Sequence, residues 1–181
     1  MATSLVIVGV GGQGVLTLAK WIGEAALAEG YDVRIAEVHG MSQRGGSVEV
    51  HVRYGKDIYA PIVEEGGADY VIALEALEAL RAYKYLKRGG ELIVNRRVIQ
   101  PPGNWVKEEE VFKAILTSGV KSYIVPCFDI AIELGSPLYE NAVMLGFFSQ
   151  LAGLPMPPSL DERNREAFRR GALVYNSLAP Y

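Results

Sequence analysis

Three groups of residues in this chain have types and spacings that can do chemistry. The first is Gly9-Val10-Gly11-Gly12-Gln13-Gly14, directly after the apolar run Ser4-Leu5-Val6-Ile7-Val8. Its glycines at 9, 11 and 14 fit the pattern Gly-x-Gly-x-x-Gly between a predicted strand and a predicted helix. Backbone N–H groups point outward at such a turn, and the helix dipole favours negative charge. Gly9, Gly11, Gly12, Gln13 and Gly14 are therefore a candidate cradle for a nucleotide or a phosphate. The same glycines also suit a turn that only needs close packing of strand on helix. The second group is Glu37, which lies close to the roughly 20-residue offset at which a dinucleotide site places its ribose-binding acid. An acid there equally suits a structural pair with Arg34, Arg44 or Arg53. The third is the loop His39-Gly40-Met41-Ser42-Gln43-Arg44-Gly45-Gly46. Ser42, Gln43 and Arg44 line up a hydroxyl, an amide and a guanidinium before the flexible Gly45 and Gly46. Such donors can hold a carboxylate or phosphate, with Arg44 bidentate. The alternative is a tight turn with Arg44 on a neighbouring acid. His39 reads as an ordinary loop histidine and His51 as a packing residue in a strand.

These groups need elements to position them. Apolar and alternating runs predict strands at residues 4–8, 31–37, 47–54, 70–74, 91–95 and 122–126. Helices are predicted at residues 15–29, 75–86, 108–117, 130–134, 139–151 and 161–178, with Gly30 closing the first. The third strand alternates with period two, so it has one wetter face and reads as antiparallel or near an edge. The helix at 139–151 is apolar nearly all round and must be buried on most sides. A βαβ opening with continued alternation predicts an α/β fold, a three-layer α/β/α Rossmann-like sandwich with a mostly parallel sheet. Ligands in such folds sit at the carboxyl ends of the strands. The glycine turn, Glu37 with the loop after it, and Glu75 just past the fourth strand all converge there.

Composition narrows the class. The 181 residues suit a single domain spanning 1–181, and half of them are hydrophobic, which argues against disorder. The net charge of -3, with no basic tail or stripe, argues against nucleic acid and against an anionic membrane surface. No apolar run approaches the ~20 residues of a membrane span. The first apolar stretch lacks a basic leader and runs into the glycine turn, so it reads as a core strand and the protein as cytoplasmic. Cys127 is the only cysteine, and the only histidines are His39 and His51. One thiolate cannot hold an iron–sulfur cluster, an internal disulfide or a structural zinc ion. Cys127 is expected as a buried core thiol and no metal site is expected.

The glycine turn together with Glu37-Val38-His39-Gly40-Met41-Ser42-Gln43-Arg44-Gly45-Gly46-Ser47-Val48 resembles the gamma-type subunits of 2-oxoacid:ferredoxin oxidoreductases. Pyruvate-type members usually carry Gly-Pro-Glu-x-Arg-Gly-Gly in the loop. The His-Gly-Met-Ser-Gln-Arg-Gly-Gly form is similar to the small subunit of the indolepyruvate, or arylpyruvate, branch. The resemblance continues through Leu77-Glu78-Ala79-Leu80-Arg81, Gly89 to Asn95 and the helix around Asn141 to Gly146, and weakens after Pro157. It implies a complex that decarboxylates a 2-oxoacid on thiamine diphosphate, passes electrons through iron–sulfur clusters to ferredoxin, and releases an acyl-CoA. This chain has no Gly-Asp-Gly…Asn motif for diphosphate and magnesium, and no cluster ligands. The resemblance therefore implies a large partner subunit carrying thiamine diphosphate, Mg and the clusters, with ferredoxin as acceptor and no catalytic residue on this chain. It further implies a pocket for substrate or coenzyme A at the subunit interface, built from the glycine turn and from Ser42, Gln43, Arg44, Gly45 and Gly46. A homodimer is left open. Two other classes share the opening motif. One is an NAD-dependent oxidoreductase using Gly9, Gly11, Gly14 and Glu37, which lacks an obvious catalytic constellation. The other is an adenylating domain, which fits a single cysteine poorly.

Overall fold

Leu5, Val6, Ile7 and Val8 are apolar at successive positions, so the strand they form has to be covered on both faces. The computed structural model describes residues 1–38 and 46–181. It places this strand, β1 (Ala2–Val10), inside a six-stranded sheet, with these four residues 0–3% exposed. The other strands are β2 (Asp32–Val38), β3 (Ser47–Gly55), β4 (Ala68–Ala73), β5 (Leu86–Asn95) and β6 (Lys121–Val125). Their order is β2-β3-β1-β4-β5-β6. β1 pairs in parallel with β4, β4 with β5, and β5 with β6. β3 pairs antiparallel with both β1 and β2, so it alone of the six runs against the rest. This is the strand whose alternation read as antiparallel or near an edge; it is antiparallel, and β2 takes the edge.

Side chains alternate across the sheet and divide the core in two. Leu5, Ile7, Ile72 and Ile93 face helices α1 (Val15–Ala28), α4 (Cys127–Glu133), α5 (Glu140–Ala152) and α6 (Glu162–Ser177). Val6, Val8, Val71 and Leu92 face α2 (Ala76–Ala82) and α3 (Glu108–Leu116). The result is the α/β/α layering expected from the alternation of elements. After α1, the N–H groups of Gly30 and Tyr31 donate to the carbonyls of Leu27 and Ala26 at 2.9 and 3.1 Å, closing the helix end.

The two boundaries that differ most from the sequence reading are neighbours in the chain. β5 starts at Leu86, because the Lys87-Arg88-Gly89-Gly90 stretch, which carries no apolar pattern, still extends beside β4 through a register shift between Ala68 and Tyr70. The helix expected to reach residue 86 ends at Ala82 and tightens into a short 3-10 turn, Tyr83–Tyr85, that feeds this longer strand.

The wetter face of β3 is covered after all. His51 is only 2% exposed; its Nδ1 accepts from the Val63 N–H at 2.9 Å, so its proton sits on Nε2 and points to Glu49 Oε1 at 2.7 Å. The Tyr85 hydroxyl donates to the same oxygen at 2.8 Å. Burial pushes the Glu49 carboxyl up, but the hydrogen bonds from His51 and Tyr85 outweigh it and leave the group below the ordinary carboxylate range. His51 is thus a packing and pinning residue.

α5 and α6 lie antiparallel and unusually close. A Cβ on Gly146 would stand 1.9 Å from the Phe168 carbonyl oxygen, and one on Gly171 would stand 1.9 Å from that of Val143. Each helix therefore fits its glycine against the other's backbone.

Candidate functional site

The Gly9–Gly14 turn leaves β1 at the carboxyl edge of the sheet, and its shape is fixed from inside by the Gln13 side chain. Oε1 of Gln13 accepts from the Val10 N–H at 2.8 Å, and Nε2 donates to the Leu74 carbonyl at the end of β4 at 3.0 Å. The Gln13 N–H closes onto the Val10 carbonyl at 3.0 Å, and the Gly11 N–H donates to the Gly46 carbonyl, just before β3, at 2.8 Å. Gly9 has to be glycine for packing, since a Cβ there would stand 2.8 Å from Val15 Cγ2. Gly14 has to be glycine for conformation and space: its φ is +77°, and a Cβ would stand 2.5 Å from Asn141 Nδ2. The turn thus serves close strand–helix packing, and it also forms one wall of a cleft.

Behind the turn lies a buried polar network. Asn95, the last residue of β5, donates to the Leu74 carbonyl at 3.2 Å and to Glu140 Oε2 at 2.6 Å. Its Oδ1 accepts from the Phe128 N–H at 3.3 Å. Arg97 Nη1 donates to Glu140 Oε1, and its guanidinium stacks 4.5 Å from the centre of the Phe128 ring. Burial pushes the Glu140 carboxyl up; the bonds from Asn95 and Arg97 pull it back without restoring the ordinary value. Asn141 follows Glu140 and reaches the other way, donating from Nδ2 to the carbonyls of Gln13 at 2.8 Å and Gly14 at 3.1 Å. Three side-chain amides, on Gln13, Asn95 and Asn141, thereby tie together the carboxyl ends of β1, β4 and β5.

Between the turn and the start of α5 opens a cleft of about 500 Å³. Thr17 and Trp21 line it from α1, Arg97 from the segment after β5, and Glu140 and Asn141 from α5. Its size is that of a small-ligand or cofactor site. Arg97 is the one cationic side chain lining it among the described residues, and Glu140 is the acid that holds it. A second cleft of about 470 Å³ lies beyond Val10 and Gly46, beside Glu75, Glu78 and Arg81.

The sequence-predicted residues fall as follows. Gly11, Gly12, Gln13 and Gly14 line the first cleft, and Gly9 lies behind them. Gly46 touches the turn through Gly11. Ser42, Gln43, Arg44 and Gly45, with His39, lie outside the described residues. Glu75 is at the expected edge but buried as the cap of α2: its carboxylate accepts from the Glu78 N–H at 2.9 Å and the Ile99 N–H at 3.0 Å. Asn95, Arg97, Glu140 and the bonding of Asn141 went unread in the sequence. The available signals were an asparagine closing an apolar strand and a Glu-Asn pair opening an otherwise apolar helix.

Cys127 is fully buried, and burial pushes its thiol well up, so it suits neither a nucleophile nor a ligand. Among the described residues no group of three or more His, Cys, Asp or Glu is arranged to hold a metal, and no helix is long and apolar enough to cross a membrane. The described residues do not fit thiamine diphosphate with magnesium or an iron–sulfur cluster.

Comparison with known proteins agrees with this layout. The family model described as pyruvate ferredoxin/flavodoxin oxidoreductase matches residues 4–177. A protein of Archaeoglobus fulgidus named indolepyruvate oxidoreductase subunit IorB is 42% identical, over 99% of this chain and 92% of its own. A subunit of the same name from Thermococcus kodakarensis is 39% identical over 93% of both chains. The crystal structure of the keto/oxoacid ferredoxin oxidoreductase gamma subunit from Geobacter sulfurreducens has the same fold, with a TM-score of 0.74 at 22% identity, covering 100% of this chain and 99% of that one. The chain belongs to the pyruvate ferredoxin/flavodoxin oxidoreductase family.

Proposed function

We propose that this chain, as one gamma-type unit over residues 1–181, is the cofactor-free small subunit of a cytoplasmic indolepyruvate (arylpyruvate):ferredoxin oxidoreductase. Its partner is a large subunit that carries thiamine diphosphate, Mg and iron–sulfur clusters. The complex converts the 2-oxoacid and coenzyme A into acyl-CoA and CO2, and the two electrons released reduce ferredoxin. The observation that carries the reading is the 39% and 42% identity, over nearly the full length, to the two indolepyruvate subunits. The His-Gly-Met-Ser-Gln-Arg-Gly-Gly loop supports the arylpyruvate branch. In this reading, the cleft beside Gly11–Gly14 and the Ser42–Gly46 loop form the coenzyme A or substrate side of the interface. The nicotinamide alternative, with Gly9, Gly11, Gly14 and Glu37 as its site, has no support from the relatives.

The reading is tested by reconstitution. The purified chain with thiamine diphosphate, magnesium and coenzyme A should reduce no dye when given indolepyruvate; adding the large subunit should restore reduction. Turnover by this chain alone would overturn the subunit reading.

Arg44 supplies a second test. In this reading Arg44 serves the interface and not the fold of this chain, so Arg44→Ala should melt almost as the parent does, within the ~0.5 kcal/mol of a substitution that disturbs no packing or pairing. In the complex it should lower kcat/KM for the oxoacid or coenzyme A by about 1.5–3 kcal/mol, the loss of a charge-assisted hydrogen bond. Earlier melting with unchanged kinetics would assign Arg44 to an internal ion pair instead.

A further inference from the structure

We propose that Asn141 is a positioning residue for the cleft: its side-chain amide holds the glycine turn in the shape that admits coenzyme A, without touching the ligand itself. The inference rests on the reading of this cleft as the coenzyme A side of the site.

A primary amide has two hydrogens to give. Both of Asn141's go to the protein, one to the Gln13 carbonyl and one to the Gly14 carbonyl, at 2.8 and 3.1 Å. With both donors spent, Asn141 has no hydrogen to give to a phosphate or carbonyl oxygen of the ligand, and on such groups it acts through the turn. The approach is tight enough that Gly14 tolerates no side chain beneath it. From Gly14 the constraint passes through bonds already described. The Gln13 N–H is fixed on Val10 and the Gly11 N–H on the Gly46 carbonyl, so the turn and the entry to β3 move together. Glu140, the residue before Asn141, holds Arg97, which also lines the cleft. The first two residues of α5 therefore each hold a part of the lining, Asn141 the glycine turn and Glu140 the Arg97 side chain. α5 is itself immobilised in the core, with residues from Ala142 to Phe148 buried.

The test uses the complex reconstituted with its large subunit. Asn141→Asp keeps the shape but faces two carbonyl oxygens with a carboxylate that cannot donate. Asn141→Ser is neutral and loses reach, and it serves if the aspartate variant fails to assemble. Thr17→Trp fills the cleft from an exposed position on α1 and tests the cleft reading separately. Rates are normalised to the oxoacid-driven reduction of dye in the absence of coenzyme A, which counts assembled complex. Asn141→Asp should raise KM for coenzyme A by at least about tenfold, since both hydrogen bonds that organise the turn are lost. The serine variant should raise it about threefold, and KM for the oxoacid should stay within about twofold in both. Thr17→Trp should also raise KM for coenzyme A. If Thr17→Trp raises it and neither Asn141 variant does, the positioning role is overturned and the cleft reading stands. If none of the three changes it, both are overturned. If the Asn141 variants lower assembly or kcat alone, Asn141 is only a structural residue and the proposal is likewise overturned.

Discussion

Replacing either Gly146 or Gly171 with alanine should cost this chain most of its stability. A methyl group at either site would sit 1.9 Å from a carbonyl oxygen of the facing helix, far inside van der Waals contact. The obstacle is backbone, so no rotamer change relieves it; α5 and α6 must separate. Separation opens the packing of Val143, Phe147 and Phe168, which belong to the larger of the two core clusters. Ordinary overpacking costs ~1–3 kcal/mol when side chains can yield. Here the cost should reach roughly 4 kcal/mol or more, the extreme for single substitutions. At this chain length that lowers Tm by roughly 8–16 °C. Thermal melts followed by circular dichroism would show it, and a drop of only about 2 °C in both variants would mean that the helices are not so closely locked.

Arg97→Met should produce the second largest effect, and one that depends on pH. The Glu140 side chain is 10% exposed and relies on Arg97 and Asn95 to offset burial. Breaking a fully buried ion pair costs ~3–5 kcal/mol. Arg97 remains 31% exposed, so water can replace part of its contribution, and about 2–3 kcal/mol is expected at neutral pH. The folded-state carboxyl of Glu140 already titrates above its ordinary value because of burial, and losing Arg97 moves it higher. An acid with a raised folded value binds its proton more tightly when folded. Stability then falls as pH rises from the ordinary carboxylate range through the raised value. The variant should therefore lie close to the parent near pH 4, with its deficit growing towards neutrality. Urea titrations at both pH values would show this, and an equal deficit at each would exclude Glu140 as the cause.

The sequence displayed most of the fold because its signals were local. Leu5 to Val8 form a continuous apolar run, which only a strand covered on both faces explains, and Val48-Glu49-Val50-His51-Val52 alternates as a reversed strand does. The start of β5 was hidden because Gly89 and Gly90 carry no strand signal, and pairing with β4 extends them anyway. The glycine turn was legible for the same local reason. The polar network was not. Asn95 and Arg97 stand at and just past the end of β5, Glu140 and Asn141 open α5, and the two pairs meet each other and the glycine turn only through the parallel order of β1, β4 and β5. Nothing in the spacing of a lone asparagine from a glutamate 45 positions away announces a hydrogen bond. The meaning of Gln13 was hidden too, because a residue inside a ligand-binding pattern here gives its amide to the turn itself.

The single reversed strand has a consequence for how this family can diversify. β2 and β3 form an antiparallel ladder from Asp32 opposite Gly55 to Val38 opposite Glu49, so both anchor points of residues 39–46 stand at the same edge, next to the turn. Two ladder ends that stand side by side keep their pairing whatever short segment joins them. The sequence between Val38 and Ser47 can therefore change without a change of register in the strands or a shift of the core beneath them.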